Sequence, residues 1–109
     1  MPPRVTSSVL KVLSALLADG AGERYGLQLM HETGLASGTL YPILVRLERA
    51  GWLRARWEEV DPVAAGRPGR RYYRLTPDGV AVARHEIAVM HRQLARAAGL
   101  PGAVHPERA

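Results

Sequence analysis

A mainly α-helical fold with one small β-hairpin is what this 109-residue sequence predicts. Three observations predict it. Apolar residues recur at helical spacing in four segments, near 7–19, 25–32, 37–51 and 76–98. Between the third and fourth, residues 53–60 alternate apolar with polar, and 71–75 form a returning strand beyond a proline- and glycine-rich stretch. Glycines or a Thr-Pro pair mark the junctions.

The first helix takes Thr6 or Ser7 as its cap, and Val9, Leu10, Val12, Leu13, Leu16 and Leu17 give it the broad apolar stripe of a core helix. Gly20-Ala21-Gly22 ends it, with Gly20 as the C-terminal cap. The second helix buries Tyr25, Leu29 and Met30. In Thr33-Gly34-Leu35-Ala36 a tight turn follows, where Gly34 supplies the left-handed geometry. The third helix begins near Ser37 or Gly38 and ends at Gly51. At about 100° per residue, Leu40, Ile43, Leu44 and Leu47 share the core side. Gly38, Pro42, Val45, Arg46 and Arg49 point away, with Thr39 and Tyr41 on the flanks. Pro42 conflicts with that start, since it removes an early hydrogen bond that only a later start would spare. In the first strand Leu53, Ala55 and Trp57 face one side, and Arg54, Arg56 and Glu58 the other. Two prolines and two glycines make 61–69 a loop, and in the returning strand Tyr73 and Leu75 share a face. Thr76 and Pro77 then read as a cap and first helical position.

This order is that of a winged helix-turn-helix (1–76) followed by a C-terminal dimerisation helix (77–98) and a flexible tail (99–109). Charge distribution agrees. Of the net charge of +5, residues 38–75 hold +4, with eight arginines against Glu48, Glu58, Glu59 and Asp61. Double-stranded DNA is the implied partner. Ser37, Thr39, Tyr41, Arg46 and Arg49 are the candidate contacts on the helix that enters the major groove. Arg67, Arg70 and Arg71 are the candidates on the wing, with Arg67 and Arg70 projecting from its turn toward the minor groove or phosphates. Each has a structural alternative: Tyr41 as a half-buried packing residue, Arg49 paired with Glu48 or Asp61, Thr39 as a cap, and the wing as a solvated loop. A protein-interaction winged helix is the rival function, although it would not need four arginines between Pro62 and Pro77.

In the last helix Val80, Ala83, Ile87, Met90, Leu94 and Ala97 recur at spacings of 3, 4, 3, 4 and 3, the a/d pattern of a coiled-coil seam. A homodimer through this seam suits an inverted-repeat operator; packing on the first helix of the same chain is the alternative. Catalysis is not implied. His31, His85, His91 and His105 lack metal-ligand spacing, and no phosphate loop or serine elbow occurs. Without cysteine, disulfides are excluded, and no apolar run has the length to span a bilayer. Neither metal nor cofactor is expected, and the expected location is the cytoplasm.

Tyr25-Gly26, SGTLYPILVRLERAGWL and GRPGRRYYRLTPDG together resemble the PadR-like transcriptional regulators, in order over about residues 9–80. The resemblance implies a dimeric repressor with its recognition helix at 37–49, its wing at 67–71 and dimerisation through the C-terminal helix. It sets the chain with the short members, which lack a larger C-terminal domain. Some members bind aromatic or drug-like effectors at the dimer interface. Here the last helix has no Trp, Tyr or Phe between Val80 and Ala98, so the resemblance names no effector, and Trp57 or Met90 remain to line a cavity.

Overall fold

Leucine and valine at helical spacing decide how the chain packs. The computed structural model describes residues 1–18 and 22–100. Its elements are α1 (Ser7–Leu17), β1 (Arg24–Tyr25), α2 (Gly26–Thr33), α3 (Ser37–Arg49), β2 (Leu53–Trp57), α4 (Pro62–Ala65), β3 (Arg71–Leu75) and α5 (Pro77–Ala97). One core draws Val9, Val12, Leu13 and Leu16 from α1, Leu29 from α2, and Leu40, Ile43, Leu44 and Leu47 from α3. Leu53, Tyr73 and Ala83 close it from the sheet and α5. Burying each such leucine contributes about 1.5–3 kcal/mol.

Thr6 is the cap of α1, its Oγ1 accepting from the Val9 amide at 3.2 Å. The helix closes at Leu17 with Ala18 as its C-cap; the expected extension to Asp19 and the Gly20 cap lie outside the described residues. Tyr25 does not open α2. It belongs to β1 and occupies the N-cap position, where the Gln28 side chain accepts from its amide at 3.1 Å. Gly34 ends α2 at φ 73°, which turns the chain directly into α3. Ala36 is the cap of α3, so the later start that would spare Pro42 does not occur. Pro42 sits in the second turn and forfeits the bond to Gly38, an exposed residue.

The sheet is antiparallel in the order β1-β3-β2, one strand more than the hairpin the sequence predicts. Its register runs from Leu53↔Leu75 to Trp57↔Arg71. β2 stops at Trp57 rather than Val60 because the chain turns into α4, which occupies part of the predicted loop 61–69. Asp61 caps α4 through Val63 N at 3.0 Å, Pro62 is its first residue, and Gly66 ends it at φ 69°. At the other end of the hairpin, Thr76 Oγ1 accepts from Gly79 N at 3.1 Å and donates to the Gly51 carbonyl at 2.6 Å. Gly79 lies against the Trp52 carbonyl so closely that a Cβ there would collide with it. That contact fixes where α5 leaves the sheet and runs back along α1. Among the described residues no helix is long and apolar enough to cross a membrane.

Candidate nucleic-acid interface

Burial on one side of α3 leaves the opposite side to solvent. Gly38, Pro42, Val45, Arg46 and Arg49 are exposed, as the periodicity predicts, and so are Ser37 and the flanking Thr39. Arg46 and Arg49 form no hydrogen bond or ion pair among the described residues, so the Glu48 and Asp61 alternatives for Arg49 are not realised. Ala36 offers no side-chain acceptor, which leaves the first amides of α3 uncapped at the positive end of the helix. Tyr41 is both exposed and packed. It is 43% exposed, while its phenol lies over Gly26 at a point where a Cβ would collide.

The wing differs from expectation. Arg67 does not project; it folds back onto Glu58, with Nη1 donating at 2.6 Å and Nη2 at 3.2 Å to the two carboxylate oxygens. Glu58 also accepts from the Arg70 amide at 3.4 Å and from the Tyr72 hydroxyl at 3.3 Å. The bidentate guanidinium holds the Glu58 carboxyl down at about 2, against the cost of partial desolvation. Arg70 is likewise held, its guanidinium 4.2 Å from the centroid of the Tyr25 ring. Arg71 stands over Trp57 at 5.1 Å and donates to Glu48 at 3.3 Å. The segment from Pro62 to Pro77 contains no acid, but pairing of Glu58 N with the Arg70 carbonyl at 2.7 Å brings one in from the neighbouring strand.

Between the start of α2, α3 and the wing lies a cleft of about 610 Å³, lined in part by Leu27, Tyr41, Trp57, Arg67, Arg70 and Arg71. Leu27 and Trp57 are 65% and 63% exposed, unusual for large apolar side chains beside a basic turn. Trp57 shares its strand face with the buried Leu53, as the alternation predicts, but the sheet outruns the core there. Nothing in the sequence marked Leu27. Among the described residues no group of histidines and carboxylates could hold a metal ion.

Residues 12–85 match the model of the transcriptional regulator PadR-like family. The chain belongs to that family. It is therefore a DNA-binding transcriptional regulator, and not an enzyme. Among solved structures, a PadR family transcriptional regulator from Eggerthella lenta is 32% identical, with a TM-score of 0.64 over 84% of this chain and 77% of that one. A PadR-like transcription factor from Bacteroides fragilis is 23% identical, with a TM-score of 0.64 over 84% and 85%. BpsR from Bordetella bronchiseptica, whose DNA binding is regulated by 6-hydroxynicotinic acid, is 21% identical, with a TM-score of 0.69 over 98% and 74%. The last two likenesses are of fold alone. No curated protein sequence gives a significant match.

In this PadR-like regulator the α5 seam is divided. Ala83 is fully buried in the chain's own core, so it is not free to meet a partner, contrary to its place in the predicted seam. Val80, Ile87 and Met90 are half-buried, and Ile87 packs on the core. Leu94, 61% exposed, and Ala97 face solvent. The cause is the packing of α5 along α1, which covers one stretch of the stripe and leaves the end bare.

Proposed function

We propose that two copies of this chain, joined through α5, act in the cytoplasm as a repressor on an inverted-repeat operator. The observation that carries this is the solvent face of α3, where Arg46 and Arg49 are exposed and unpaired among the described residues. In this reading α3 enters the major groove, with Ser37, Thr39, Tyr41, Arg46 and Arg49 meeting base edges and phosphates. Arg67, Arg70 and Arg71 hold the wing in shape and present its basic surface to the adjacent minor groove or phosphates. For a small-molecule effector, of the kind that regulates the Bordetella protein, the chain offers a groove of about 630 Å³ bordered by Leu10, Lys11, Ala15 and Met90.

The test is binding to duplexes carrying the inverted repeats upstream of the protein's own gene, titrated with salt. Affinity should fall steeply as salt rises, through release of counterions from phosphates. Arg46→Ala should cost about 1–3 kcal/mol and relax the preference at one base position. Retention of both full affinity and full preference by Arg46→Ala and Arg49→Ala together would refute the placement of α3.

A further inference from the structure

The outer face of the sheet carries a charge arrangement that DNA binding through α3 and the wing leaves unused. Strand alternation turns Arg54, Arg56, Tyr72 and Arg74 away from the face that holds Leu53 and Tyr73. Three guanidiniums there share one carboxylate. Glu23 is taken by Arg56, whose Nε and Nη2 donate to its two oxygens at 2.7 Å each. Arg54 and Arg74 are exposed, and neither makes a hydrogen bond or ion pair among the described residues. In the ladder they stand directly opposite one another. Like charges so placed, with Cβ atoms roughly 4.5–5.5 Å apart, destabilise a sheet.

These two side chains also shape a concave site. With Gly22, Thr76, Pro77 and Val80 they border a hollow of about 340 Å³. We propose that Arg54 and Arg74 form a binding site for a small oxyanion of double charge, a phosphate monoester being the type. Two planar guanidiniums match the oxygens of one phosphate group, and its charge turns their mutual repulsion into attraction. The hollow sits three ladder positions, roughly 10 Å, from the Trp57↔Arg71 pair at the wing. It opens on the face of the sheet opposite Trp57, so a ligand held there and DNA held by α3 do not compete for one surface. The proposal stands independently of the operator-binding reading.

The experiment titrates the whole protein with inorganic phosphate at constant ionic strength, balanced by chloride, and follows the arginine Nε–H resonances and the thermal midpoint. Saturable shifts at Arg54 and Arg74 with a rising midpoint are expected. Arg54→Gln and Arg74→Gln should each weaken phosphate binding roughly tenfold or more, while raising the phosphate-free midpoint by removing the repulsion. A response that never saturates, or that survives in both variants, overturns the site. Duplex affinity is the second arm. Unchanged salt dependence in the double variant supports a free anion. A slope flatter by up to about 1.8, with no response to inorganic phosphate, overturns it and assigns the pair to the DNA backbone.

Discussion

At Glu58 a single carboxylate turns an arginine-rich loop into a shaped one. It collects Arg67, the Arg70 amide and the Tyr72 hydroxyl, so the wing's geometry depends on its ionisation. Its folded pKa, about 2, lies below the ordinary 4.5. A depressed carboxylate stabilises the fold fully above its ordinary pKa and loses that contribution as pH falls through the folded value. The clamp should therefore contribute fully at neutral pH, its contribution to stability should fade as pH falls from about 4.5 towards 2, and the Glu58 carboxyl carbon shift should titrate with its midpoint near 2. Titration near 4.5 would show that the Arg67 contact is not held in solution. Two glycines make a contrasting pair. At Gly79 an added methyl meets the Trp52 backbone, which cannot yield, so Gly79→Ala should cost about 1–3 kcal/mol in denaturant unfolding. At Gly26 it meets the far end of the Tyr41 side chain, which can swing aside. Gly26→Ala should change stability little and alter which duplexes are preferred, because Tyr41 then moves on the α3 face. Equal stability losses in the two variants would contradict the distinction.

Among the elements, those set by local chemistry were legible in the sequence and those set by distant pairing were not. The core side of α3, the Gly34 turn and the Thr76-Pro77 start of α5 each follow from residues within a turn or two of one another. β1 is only two residues long and exists because Arg24 and Tyr25 pair with Tyr73 and Tyr72, far along the chain. α4 carried its cap, its proline and its glycine in plain view, but one helical turn is too short to show periodicity. The inward turn of Arg67 was hidden because its partner, Glu58, lies across the hairpin on the far side of α4. That partner changes what wing substitutions should do. Arg67→Ala and Arg70→Ala should both lower affinity evenly across sequences and flatten the salt slope by about 0.9 each if each arginine meets one phosphate. Arg67→Ala should cost more, since it leaves Glu58 unneutralised beside the DNA, and adding Glu58→Gln should restore part of the loss. If both single variants keep the wild-type slope, the wing does not touch phosphates.

For the whole molecule the decisive matter is what covers the end of α5. The 3-4 spacing from Val80 to Ala97 describes one stripe, yet the fold uses it twice: Ala83 and Ile87 serve the chain's own core, while Leu94 and Ala97 are exposed among the described residues. Ile87→Glu therefore tests folding and association together, and a monomer obtained that way would prove little. Leu94→Glu separates them, because its side chain is mostly in solvent and its loss removes little from the chain's own core. In a two-fold interface the substitution enters twice, and two carboxylates near the axis repel as well as fail to pack. Circular dichroism and the thermal transition of Leu94→Glu should stay close to those of the parent at equal monomer concentration once the dimer's share is allowed for. Sedimentation equilibrium should show dimer for the parent and monomer for the variant. Operator affinity should fall with it, since half-sites about 34 Å apart are held together only when two reading heads are joined. A Leu94→Glu protein that sediments as an unaltered dimer would place the interface elsewhere and leave the exposed end of α5 for another partner.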